Sequence, residues 1–195
     1  MSAIDILGSL NGFDVNSLAP FQRVLLVTDG TLTEILEAMV LERIRLVKVS
    51  QRVIPAAASH ALLEPNPGES LIERKILLQG ERSHRHYVYA ESLIAVDRLS
   101  QSFRDELLGS GTPLGRLWLE HKLETFKELK EVRCQPANGL CHYFDCADTT
   151  PLLARTYRVL SASKPAMVIT EYFPAAYRFS VDSAGRELDQ LEVIS

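Results

Sequence analysis

No run of about 18 or more apolar residues occurs in this 195-residue chain, so the sequence offers no helix suited to crossing a bilayer. The N-terminal stretch MSAIDILGSLNGFDV lacks the basic start and continuous apolar core of a signal peptide, and a cytoplasmic location is expected. An excess of positive charge is also missing. With a formal net charge of −4 and a pI of about 5.8, the chain has no global field to gather nucleic acid or an anionic membrane, and neither is expected as a partner. An anionic ligand would have to meet local cations. Neither G-x-G-x-x-G nor G-x4-G-K-[ST] is present, which removes the usual phosphate-cradling turns, and no G-x-S-x-G elbow supports a serine hydrolase. Apolar side chains are plentiful at 46%, enough for a buried core. A single domain over residues 1–195 is the expected organisation.

Cysteine is scarce, and all of it lies in one segment: Cys134, Cys141 and Cys146, with His142 beside the second. An odd count without a secretory signal argues against a disulfide framework. The C-x6-C-x4-C spacing lacks the C-x2-C pairing typical of zinc sites, so these residues read as reduced thiols in an irregular connection, and no metal is expected.

Residues 18–40 read as two short helices broken at Asp29-Gly30, with Thr31 able to cap the second and Leu32, Ile35, Leu36 and Met39 on one face. IRLVKVSQRV (44–53) then alternates as a half-buried strand, and residues 56–70 carry loop signals closed by Pro65-Asn-Pro67-Gly68. Residues 71–80 and 84–96 form two β-rich runs around a short link, which predicts an antiparallel hairpin. Two helical pieces follow within 101–121, the second started by Thr112-Pro113. Residues 122–134 fit helix or strand, with strand preferred. Residues 152–162 and 165–173 are strands joined by a Ser-Lys turn, and the polar tail reads as a loose end or an edge. Strand pairs close in sequence, with helices between the pairs and at one end, predict an α+β fold on an antiparallel sheet.

Three short motifs could carry chemistry. Arg74 lies in the apolar strand ERKILLQG, where an arginine either snorkels from a sheet edge or uses its planar fork to bind an anion. Leu114, Gly115 and Arg116 belong to GTPLGRLW. Glu171 stands in MVITEYF, where strand alternation puts it on one face with Ile169 and Phe173, away from Val168, Thr170 and Tyr172. A carboxylate among apolar neighbours favours the wall of a pocket. His60, His84, His86, His121 and His142 are other possible proton carriers, and none sits in a recognisable catalytic pattern.

In order along the chain, LLVTDGTLTEILEA, RKILLQG, YAESLIAVDRL, SGTPLGRLW, LETFKEL and ARTYRVLSASKPAMVITEYF resemble the successive motifs of the chorismate pyruvate-lyase-like family. The resemblance covers roughly residues 20–175 and is nearest to the compact bacterial and archaeal branch. It implies a chorismate lyase-like fold and a lyase that releases pyruvate from chorismate to give 4-hydroxybenzoate without a cofactor, feeding quinone or phenolic-lipid synthesis. It further implies that Arg74 holds the ring carboxylate, Glu171 contacts the 4-hydroxyl, the backbone at Leu114 lines the site, and Leu32 covers the aromatic product. The sequence departs from the enterobacterial lyases at Glu91-Ser92, where those enzymes carry a basic residue and a hydroxyl.

Chorismate is a dianion, so a closed site calls for one bidentate guanidinium and preferably a second cation. Arg74 would be the first, and Arg116, Arg155 and Arg158 are candidates for the second. Whether Glu171 orients the 4-hydroxyl or moves a proton is open at this level. A non-catalytic small-molecule-binding module of the same fold is the competing reading, since the lyase fold resembles effector domains of bacterial regulators. A lyase acting on a related substrate is a third.

Overall fold

The computed structural model describes residues 3–10, 13–66, 68–109, 117 and 125–175. Six strands form one antiparallel sheet: β1 (Ile44–Pro55), β2 (Ser70–Gly80), β3 (His86–Ile94), β4 (Thr125–Pro136), β5 (Pro151–Ser161) and β6 (Lys164–Pro174). Their order is β1-β2-β3-β6-β5-β4. Among the described residues five α-helices accompany them: α1 (Ala3–Gly8), α2 (Pro20–Val27), α3 (Leu32–Val40), α4 (Gln101–Gly109) and the single turn α5 (Cys141–Phe144). This is the α+β architecture read from the sequence, and the ambiguous stretch after residue 122 is the edge strand β4. None of the described helices is long and apolar enough to cross a membrane.

The helix break falls where Asp-Gly predicts it. Proline opens α2, where its missing N–H leaves no bond unmade, and the Gln22 side chain accepts from Ala19 N at 2.9 Å. Thr31 occupies the cap position of α3 but makes no side-chain cap bond; the Thr28 hydroxyl instead accepts from Gly30 N at 3.0 Å within the turn. The loop expected over 56–70 contains a 3-10 stretch, Ala58–Leu63, whose last residue is fully buried and plugs the sheet end through contacts with Leu71 and Ala95. Of the second helical piece expected within 101–121, only Leu117 is described, helical and buried; the polar tail lies outside the described residues beyond residue 175.

Strand alternation divides the sheet into two faces. One face carries Ile76, Leu78, Val88 and Phe173, packed under α1 to α3. Farther along the same face, Ile72, Ile94, Met167 and Ile169 pack with Phe103 and Leu107 of α4 and with Leu117. The two apolar clusters leave a gap between them over the middle of the sheet, and polar side chains fill its walls. The β2–β3 turn is anchored by Glu42, whose carboxylate accepts from Arg82 N (2.9 Å), Ser83 N (3.1 Å), Ser83 Oγ (2.6 Å) and Tyr87 Oη (2.9 Å). A Cβ at Gly80 would crowd the Glu42 carboxylate and the Ser83 hydroxyl, so any larger residue there would have to displace this network.

Candidate functional site

The gap is a cavity lined by mostly apolar side chains with a few convergent polar groups, the make-up of a small-molecule site. Its floor is four interior strands. Facing it are Arg74 and Ile76 from β2, Ala90 and Ser92 from β3, Ile169 and Glu171 from β6, and Arg155 and Tyr157 from β5; Lys127 reaches in from β4. The turn after α2 and the start of α3 form its rim with Gly30, Thr31, Leu32 and Thr33.

Arg74 is the most unusual of these residues. It is 1% exposed, yet none of its three guanidinium nitrogens has a hydrogen-bond partner among the described residues. Snorkelling is excluded, because β2 is an interior strand and the side chain points into the cavity. Burial lowers its pKa from the ordinary arginine value, but a guanidinium stays charged at neutral pH. A buried guanidinium with no partner among the described residues can offer its planar fork of donors to an anion.

Glu171 is arranged in the opposite way. Its Oε2 accepts from Arg155 Nε at 2.6 Å, and its Oε1 accepts from Tyr157 Oη at 2.9 Å. The pair is buried, with side chains 3% (Arg155) and 9% (Glu171) exposed. Arg155 also donates from Nη1 to Leu25 O (2.5 Å) and Thr28 O (2.7 Å), which ties the end of α2 to the sheet. Burial opposes the Arg155 charge, and the adjacent Glu171 outweighs it, so the Arg155 pKa rises above its ordinary value. Burial first, and the Glu171 charge second, push the Tyr157 hydroxyl well above its usual pKa, which keeps it protonated and donating. Glu171 thus has a fixed orientation.

Residues 26–179 match the family described as Chorismate pyruvate-lyase Rv2949c-like. The chain belongs to that family. It is 32% identical over 168 residues to a chorismate pyruvate-lyase of Mycobacterium tuberculosis, covering 84% of each chain. It is 29% identical over 170 residues to the chorismate pyruvate-lyase of Mycobacterium leprae, covering 85% of this chain and 79% of that one. Among solved structures, the effector domain of PhnF from Mycobacterium smegmatis superposes with a TM-score of 0.59 at 10% identity, covering 76% of this chain and 90% of that one. The full PhnF chain gives 0.60 at 9% identity and is spanned to 65% of its length, so the likeness is one of fold.

Of the positions that the family resemblance singles out, Arg74, Glu171 and Leu32 line one cavity, although 97 residues separate the first two in sequence. Leu114, Gly115 and Arg116 lie outside the described residues. Ser92 faces the cavity, whereas Glu91 lies on the opposite face of the sheet, accepts from Tyr89 Oη at 2.7 Å and pairs with Lys75 at 3.1 Å. The departure of this family member at Glu91 therefore falls away from the cavity wall. Two of the proposed second cations are committed elsewhere: Arg155 to Glu171, and Arg158 to Glu128 (2.6 Å) and Glu64 (2.8 Å) across the other face. His86 is bound to Gln79 and to Tyr143 O at the β2–β3 end, away from the cavity.

The cysteines do not converge. Cys134 packs with the helical side of the sheet, while Cys141 and Cys146 pack with Tyr89 and Tyr172 on the opposite face. No group of three His, Cys, Asp or Glu side chains among the described residues could hold a metal ion. Sequence reading missed Lys127, Tyr157 and Ser92. Ser92 and Tyr157 were detectable in principle, since each shares its strand face with a cavity-facing neighbour, but only if the register between strands were known.

Proposed function

We propose that the cavity binds chorismate and eliminates pyruvate from it to give 4-hydroxybenzoate. The observation that carries this reading is the buried Arg74 guanidinium, without a hydrogen-bond partner among the described residues and placed in one cavity with the hydrogen-bonded Glu171. The family and its named relatives support the same substrate class. In this reading the Arg74 fork takes the ring carboxylate, Glu171 meets the 4-hydroxyl, and Leu32 closes over the ring.

The reaction asks little beyond orientation and one proton. The C3–O bond breaks and its electron pair leaves with pyruvate enolate; C4 loses its proton, the ring becomes aromatic, and the enolate takes up a proton to give pyruvate. Aromatisation drives the step downhill, so the protein's contribution is to hold the ring, exclude water and manage that proton. Arg155 and Tyr157 donate to Glu171 and keep the carboxylate aimed at the 4-hydroxyl rather than swinging free.

Incubating the purified protein with chorismate, with neither metal nor nucleotide added, should yield equimolar 4-hydroxybenzoate and pyruvate. The occupied state of both Glu171 oxygens also suits a second reading, a binding module of the same fold that recognises an aromatic anion without converting it. Saturable binding of chorismate without product would establish that reading and overturn the lyase.

A further inference from the structure

We propose that Gln51 is the positioning residue of Arg74: when the fork engages a carboxylate, Gln51 Oε1 accepts a guanidinium N–H from behind and fixes the plane of the fork. The inference rests on the reading of the cavity as a site for an aromatic carboxylate, and adds to it a residue that does not line the cavity.

Strand geometry puts the two side chains together. Gln51 of β1 pairs directly with Arg74 of β2, as Ser92 of β3 does from the other side. Directly opposite residues of an antiparallel pair project from the same face with Cβ atoms about 4.5–5.5 Å apart, so Gln51, Arg74 and Ser92 rise as a row. The register shift between Lys48 and Ser50 makes this pairing; an unbroken ladder would set the shorter Ser50 opposite Arg74. Glu171 on β6 lies on the Ser92 side of the row, because the strand order is β1-β2-β3-β6. A ligand running from Arg74 towards Glu171 therefore leaves over β3, and Gln51 stands behind the guanidinium.

Hydrogen-bonding capacity matches the geometry. Among the described residues, the buried side-chain nitrogens and oxygens without a partner are the three guanidinium nitrogens of Arg74, Nε of Arg104 and Oε1 of Gln51. Gln51 is only half-buried as a residue, yet its Oε1 is withdrawn from solvent. That oxygen is the one acceptor in the set, and it belongs to the residue in register with Arg74. A carboxylate gripped by the fork takes two of the five N–H groups, which leaves three in need of an acceptor. The terminal torsion of glutamine is soft, so the bond can close without moving either strand. A guanidinium held at one edge presents its other edge at a set angle, as bidentate recognition requires.

Calorimetric titration with 4-hydroxybenzoate, together with thermal melts of the ligand-free variants, tests the assignment. Gln51→Leu should bind 4-hydroxybenzoate about ten-fold more weakly, the scale of one hydrogen bond to a charged group. Its ligand-free Tm should stay within about 2 °C of wild type, because the lost oxygen has no partner there. In an Arg74→Lys background, where no planar fork is left to aim, the same substitution should change affinity by less than about two-fold. Gln51→Glu sets a carboxylate against the guanidinium; it should raise the ligand-free Tm and weaken 4-hydroxybenzoate by about ten-fold or more, since the site then carries its own anion. Affinity of Gln51→Leu within two-fold of wild type, an equal loss in the Arg74→Lys background, or wild-type Tm and affinity in Gln51→Glu each overturns the proposal. A Gln51→Leu protein that melts well below wild type and loses binding in proportion would make the residue structural and overturn it as well. Gln51-dependent binding in a protein that does not turn over chorismate would leave this assignment standing and refute the lyase reading, whereas turnover with Gln51-independent binding would do the reverse.

Discussion

Replacing Arg74 with methionine should make the ligand-free protein more stable and the site useless. The side chain is fully buried, and its guanidinium makes no hydrogen bond to the described protein, so its desolvation is uncompensated until a ligand arrives. An unsatisfied buried polar group costs about 1–3 kcal/mol, and more when charged. Methionine approximates the length of the arginine stem and adapts to the apolar neighbours Ile76 and Ile169, so little packing is lost. For a chain of this size each kcal/mol shifts Tm by about 2–4 °C, so Arg74→Met should melt roughly 2–12 °C above wild type without ligand. Its affinity for 4-hydroxybenzoate should fall by at least about a hundred-fold, the worth of two charge-assisted hydrogen bonds to a carboxylate. Arg74→Lys, which keeps the charge but loses the fork, should show a smaller loss of about ten-fold. Differential scanning fluorimetry with and without 4-hydroxybenzoate reads both effects together, because ligand at a hundred times the wild-type Kd adds about 2.7 kcal/mol to the wild type and no more than about 0.4 kcal/mol to the methionine variant. A lower Tm for ligand-free Arg74→Met, with product affinity intact, would refute the argument that this arginine is held unpaired for an anion.

Glu171→Gln should lower both turnover and stability, because it strips the buried Arg155 of its charge partner; a loss of about 3 kcal/mol or more is expected, with turnover down about 10²-fold. The double variant Arg155→Met/Glu171→Met should recover much of the stability without the activity, and near-wild-type turnover in it would remove Glu171 from the chemistry. Glu42 gives a pH signature. Burial alone would raise its pKa, but bonds from Ser83, Arg82 and Tyr87 outweigh it and hold the carboxyl at about 2 against an ordinary 4.5. A depressed pKa contributes stability that is complete above the unfolded value and lost as pH falls from about 4.5 towards 2. Allowing for solvent screening, the contribution is on the order of 2 kcal/mol. Thermal melts should therefore show Glu42→Gln less stable than wild type at pH 7 and converging with it below pH 3, whereas parallel curves down to acid would refute the assignment.

Period and punctuation in the chain determine most of the elements by themselves. Asp29-Gly30 ends one helix and starts the next, alternation marks the strands, and the position of Arg74 and Glu171 on apolar strand faces is legible because side-chain direction in a strand has a period of two. What alternation cannot supply is which residue on a neighbouring strand stands opposite. The β5–β6 hairpin turns through Ala162 and Ser163, both at positive φ, and begins by pairing Ser161 with Lys164 and Leu160 with Pro165. Counted onward without interruption, that register would set Arg155 opposite Thr170, on the wrong face for Glu171. The register instead shifts by one residue, leaving Ala166 over, and from Val159–Met167 onward the pairs bring Arg155 opposite Glu171. Ala166 is fully buried, and its carbonyl accepts from Ala95 N at 2.9 Å, a contact with a segment some seventy residues earlier. The sequence thus determined that Glu171 lies on an apolar strand face, and left Arg155 as one of several candidate cations. Tertiary packing around one extra residue decided that they face each other, because a one-residue slip in a strand turns every side chain beyond it to the opposite side.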